Sequence, residues 1–179
     1  MPSDSVDHRA RLTIALPPLD AAAHGRAVDE GWHLELLNAE DPDERSVLIL
    51  LAHPELDDTI REGKETVVVG GEEMNPRLHL AVHEVVATQI IENDPPEALQ
   101  TAQRLLRLGR DHHEVLHMLG FVVSGQIWGA MHERREYSRA EHVRALEALP
   151  QPFDAELARP PDRAARRAHA RRGRRGHGR

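Results

Sequence analysis

Apolar and polar positions along the chain fall into blocks whose spacing and punctuation predict helices far more often than strands. The first 30 residues mix Pro, Ala, Asp and His without a sustained period, so residues 1–31 read as a mobile leader. Asp41-Pro42-Asp43-Glu44 then offers an N-cap, a proline at the first helical position and acids in the first turn. The apolar run "SVLILLAH" behind it predicts a helix to about residue 53. Pro54 interrupts that pattern because it lacks an N–H to donate, and "PELDDTIREG" reads as a second short helix ending at Gly63. "ETVVVGGEE" combines a β-branched run with a double glycine, which predicts a strand entering a turn.

Four capped segments follow. Asn75-Pro76 opens a helix over 76–93, Asp94-Pro95-Pro96-Glu97 one that ends near Gly109, Asp111 with Glu114 one over 112–133, and Ser138 with Glu141 one that stops before Pro150. Short connections between helices predict antiparallel neighbours. The expected fold is therefore mainly α: an antiparallel helical bundle over residues 32–150 with a short β element before it. Residues 151–179 carry little to bury and are expected to form a disordered Arg-rich tail. Trp128, in the segment 112–133, reads as a core anchor.

Charge changes this picture by dividing the chain. Nine of its 23 basic residues but only one of its 30 acids lie after residue 158, so residues 1–158 hold 14 basic against 29 acidic side chains. A basic tail on an acidic body admits nucleic acid or an acidic partner as a contact of that tail. Lys64 is the only lysine and Arg is abundant, the pattern of a GC-rich genome, which raises arginine without a functional cause. The chain has no cysteine, which excludes disulfides and thiolate metal sites and leaves imidazole and carboxylate as metal ligands. No apolar run approaches the roughly 20 residues that span a bilayer, so a cytoplasmic protein without a membrane segment is expected. Oligomeric state is not legible.

The candidate chemistry lies in thirteen histidines. On a helix, residues four apart share a face, so two imidazoles at that spacing can reach one ion. Two such pairs occur, His79 with His83 and His113 with His117, each flanked by apolar residues in the same stripe. His113-Glu114-Val115-Leu116-His117 is also the HExxH pattern, in which the glutamate of a zinc hydrolase takes a proton from metal-bound water. In a His-rich chain of this length roughly one His-x-x-x-His pair arises by chance. Two pairs on separate capped helices weigh more. Glu114 has a competing reading as the capping-box partner of Asp111, and Glu84 reads as a solvated acid or a support for His83. His132 lies too far along its helix to join the same ion.

"NPRLHLAVHE", "HEVLH" and "QIWGAMHE" with Tyr137 shortly after together resemble the uncharacterised bacterial family catalogued as domain of unknown function 1841, over about residues 75–148. The resemblance implies a small helical domain with His79, His83, His113, Glu114 and His117 on the family's pattern. The chain departs from the commoner form in Glu84 and in the long acidic segment before Asn75. No activity comes with the resemblance. The residues themselves point to a site for zinc or another divalent transition metal formed by His79, His83, His113 and His117. It would be closed and structural if all four bind, or hydrolytic through Glu114 if one position holds water. The alternative is a non-catalytic interaction module in which the histidines are core residues and the basic tail makes the contacts.

Overall fold

A computed structural model describes residues 3–29, 31–69 and 72–158. It is mainly helical with one short hairpin. The helices are α1 (Ser3–Ala15), α2 (Ala21–Asp29), α3 (Pro42–Leu51), α4 (Pro54–Arg61), α5 (Pro76–Glu92), α6 (Pro96–Arg107), α7 (His112–Glu133), α8 (Arg139–Ala148) and α9 (Gln151–Leu157). Two units divide at residue 149, and α9 belongs to the second. Residues 159–179, which hold the nine arginines of the expected tail, lie outside the described residues. Among the described residues, no helix is long and apolar enough to cross a membrane.

Caps place the helix starts where the sequence puts them. Asp41 accepts from the amides of Asp43 and Glu44, Asn75 from Leu78, Asp111 from Glu114 and Ser138 from Glu141. The left-handed Asn93 closes α5. β1 (Val67–Val69) pairs antiparallel with β2 (Glu72–Met74). The sequence reading stops at the first of these strands. "EEM" has no β-branched residue and forms a strand only by pairing with Val67–Val69.

Two helices, α1 and α2, lie among the described residues of the segment read as a leader. α1 packs against α5 and α6, where Arg11 donates to the Ile91 carbonyl of α5 at 2.9 Å, and the His112 ring at the start of α7 donates to the Ile14 carbonyl at 2.9 Å. Helix α2 buries Ala23 and Ala27. Small alanines give α2 only a weak apolar period in the sequence.

Around α5 the core is built from α1, α3, α6 and α7, with Val86, Ile90, Leu105, Leu116, Met118 and Leu119 almost wholly buried. α5 and α7 approach closely at Gly120, where an added Cβ would come within 2.9 Å of Val82 Cγ1. Trp128 is not a core anchor. It is 59% exposed and stacks on His132, ring centroids 3.7 Å apart. α7 carries no charged residue between Glu114 and Glu133, so apolarity alone could not say which face turns inward. The buried stripe is Val115, Leu116, Met118, Leu119, Val122 and Val123.

Candidate metal centre

Five imidazoles meet where α5, α7 and the joint between α3 and α4 come together. His79 and His83 project from successive turns of α5, and His113 and His117 from successive turns of α7. The fifth is His53. It follows the last turn of α3 and precedes Pro54, which cannot continue the helix. Ring centroids of neighbouring pairs lie 4.5 Å apart for His53–His83 and His113–His117, 4.6 Å for His53–His113 and 4.9 Å for His83–His117. His53 and His83 are buried, at 0% and 4% exposure; His79, His113 and His117 are half-buried.

Hydrogen bonding fixes the state of the central ring. His53 Nδ1 lies 2.7 Å from the Ile49 carbonyl oxygen, which can only accept, so Nδ1 carries the proton and Nε2 of the neutral ring holds a lone pair. That Nε2 is 3.2 Å from His83 Nε2 and 2.9 Å from His113 Nε2. One lone pair cannot serve two such donors well. His117 Nε2 is buried with no hydrogen-bond partner. A carbonyl behind a ring whose other nitrogen points into a shared space is the usual support of a metal-ligating histidine.

Burial keeps the rings neutral. It lowers His79 to about 4 and His117 to about 3, and lowers His83 and His113 as well, with repulsion among the rings adding to the effect at these four; at His53 burial acts against the Ile49 hydrogen bond and the Glu55 charge. The charges of Glu55 and Asp111 oppose the shift at His113. Neutral imidazole is the form that binds a metal.

Four of the five, His53, His79, His83 and His117, offer ligand atoms all within 4.8 Å of one another. A zinc ion with bonds of about 2.0–2.1 Å sets tetrahedral nitrogens about 3.3–3.4 Å apart, so a shared ion needs only small ring movements. His113 lies beside this set and outside it, despite its contact with His53. Glu114, on the same helix, has its carboxylate on Arg110 Nη1 at 3.2 Å and its amide on the Asp111 cap. Glu84 follows His83 in α5 and is engaged by α3. It accepts from Arg45 Nε at 2.8 Å and Ser46 Oγ at 2.6 Å, pinning α3 to α5, while Arg45 also donates to the Ala39 carbonyl. His112 and His132 take no part in the cluster.

The fold and the cluster define a small helical protein with a buried, all-imidazole centre. The chain belongs to the family described as domain of unknown function (DUF1841), whose model matches residues 33–148. The match begins well before the residues 75–148 that carry the resemblance in sequence. It takes in the acidic segment, α3, α4 and His53. No curated protein and no solved structure matches the chain.

Sequence reasoning misses His53 because it has no histidine four residues away. A signal was available: it closes the apolar run "SVLILLA" and stands directly before a proline, where a polar ring in apolar company needs a partner.

Proposed function

We propose that this protein binds one divalent transition-metal ion, zinc in the first place, through His53, His79, His83 and His117, with His113 beside them. The observation that carries the reading is the convergence of ring nitrogens that cannot satisfy one another. His53 Nε2 has two nitrogen neighbours at 3.2 Å and 2.9 Å, and His117 Nε2 is buried without a partner. An orphaned buried polar atom costs about 1–3 kcal/mol, and an ion removes the deficit by taking the lone pairs. Borderline nitrogen donors without sulfur suit zinc, nickel or copper better than magnesium or calcium.

Hydrolytic chemistry would need the Glu114 carboxylate to leave Arg110 and reach a metal-bound water. Full-length protein prepared without a histidine tag and dialysed against zinc should retain about one ion per chain, as a single four-coordinate site takes, and melt at a higher temperature than the metal-free form. Folded protein that retains no zinc and gains no melting temperature from it would contradict the reading.

A further inference from the structure

The centre holds one imidazole more than a four-coordinate ion takes. Four histidines share a space of 4.8 Å, and the fifth, His113, stands against its edge, 2.9 Å from His53 Nε2 with its ring centroid 4.5 Å from that of His117. His113 also differs in where it sits. It lies in the first turn of α7, two residues after the Asp111 cap, and is half-buried where His53 and His83 are enclosed.

The donor set is uncharged. Among the described residues, the hydrogen-bond partners of the five rings are the Ile49 carbonyl and one another. Glu55 and Asp111 act on His113 through their charge alone. A dication bound by neutral nitrogens keeps its full charge among apolar side chains, and that charge favours an anion in whatever position remains.

From the surplus ring and the uncharged donors we propose that the ion accepts a fifth ligand beside His53, His79, His83 and His117, that His113 can hold this fifth position, and that a small exogenous anion, of the class of hydroxide or azide, binds there by displacing it. The inference rests on the metal reading above. While His113 holds that position the anion cannot, so apparent affinity falls by the fraction of time the position is free.

Cobalt(II) in place of zinc gives visible absorption bands that report changes of ligand, and azide is the probe. Full-length wild type loaded with cobalt should show saturable band shifts with azide. His113→Ala should keep its cobalt and bind azide more tightly, about tenfold if His113 holds the position for about nine-tenths of the time. His113→Asn, whose side chain is too short to reach the ion, carries the same forecast should the alanine variant fold poorly.

Equal azide affinity in wild type and variants, no response in any of them, or loss of cobalt from both His113 variants would overturn the proposal. The last outcome would make His113 an indispensable ligand. Cobalt content is measured first and by itself. A wild type that takes up none therefore fails the metal reading, and this inference with it, while a loaded protein indifferent to azide fails only the inference.

Discussion

His53 and His142 are both almost fully enclosed, at 0% and 1% exposure, and burial lowers the pKa of both. Their surroundings differ. His142, on α8, has Nε2 3.3 Å from Gln89 Nε2 and a Nδ1 with no partner, while Gln89 Oε1 is also without one. Turning the Gln89 amide over would set its oxygen on the ring N–H. His142 is then a core histidine held by a neutral amide, and among the described residues the ring beside it is Tyr137, centroids 6.0 Å apart. Around His53 no such turn works, because the partners within reach of Nε2 are imidazoles and the backbone carbonyl has already fixed its tautomer. Burial of a histidine is therefore not what marks a metal site. What marks it is several ring nitrogens aimed at one point that cannot all satisfy one another.

The largest effect that could break this comparison is loss of the ion. His117→Ala should abolish zinc retention while His142→Ala leaves it intact, even though the latter should cost about 1–3 kcal/mol of stability by emptying a core position. Metal analysis after dialysis, with urea unfolding on the same samples, separates the two. Equal zinc loss in both variants would mean that retention tracks general stability and the two histidines are alike.

A smaller effect is expected from Arg45→Ala. It removes the guanidinium, 8% exposed, from a Glu84 that is 23% exposed. The expected cost is about 2–3 kcal/mol, at the lower edge for breaking a buried pair because Glu84 keeps some solvent. Since the pair ties α3 to α5, zinc affinity should weaken with it. His142→Ala, at comparable stability, should leave that affinity unchanged. Zinc titration of both against a competing chelator checks this.

The smallest effect is on pH dependence in the metal-free protein. A histidine whose folded pKa lies below its ordinary 6.5 contributes stability that is fully present above pH 6.5. That stability declines as pH falls towards about 4 for His79 and about 3 for His117, because the unfolded chain takes up protons that the folded one refuses. Stability should drop between pH 7 and pH 5, and His117→Ala should flatten that drop more than His142→Ala does. Urea midpoints at pH 7, 6 and 5 test it; a rise in stability on acidification would contradict the sign.

What the sequence made legible follows from which interactions are local. The caps at Asp41, Asn75, Asp111 and Ser138 act within three residues, so the starts of α3, α5, α7 and α8 could be read directly. The pairing of His79 with His83 and of His113 with His117 is also local, a matter of one helical turn. The meeting of the pairs is not. It depends on Gly120 letting α7 approach Val82 and on Arg45 reaching Glu84 39 residues away. His53 escaped for the same reason, since only the packing of α3 on α5 brings it in. β2 formed through its partner strand, and Trp128 faced outward on a helix apolar on all sides, where composition holds no directional information. The roles expected for the Arg-rich segment belong to residues 159–179, outside the described residues, and stay with the sequence reading.

X-ray absorption at the zinc edge of the loaded full-length protein reads the ligands of the ion themselves. Ligation by the imidazole cluster predicts nitrogen neighbours at about 2.0–2.1 Å together with the outer-shell scattering of imidazole carbons from at least three rings. A shell of oxygen neighbours without that imidazole signature would place the ion on surface carboxylates and contradict the account.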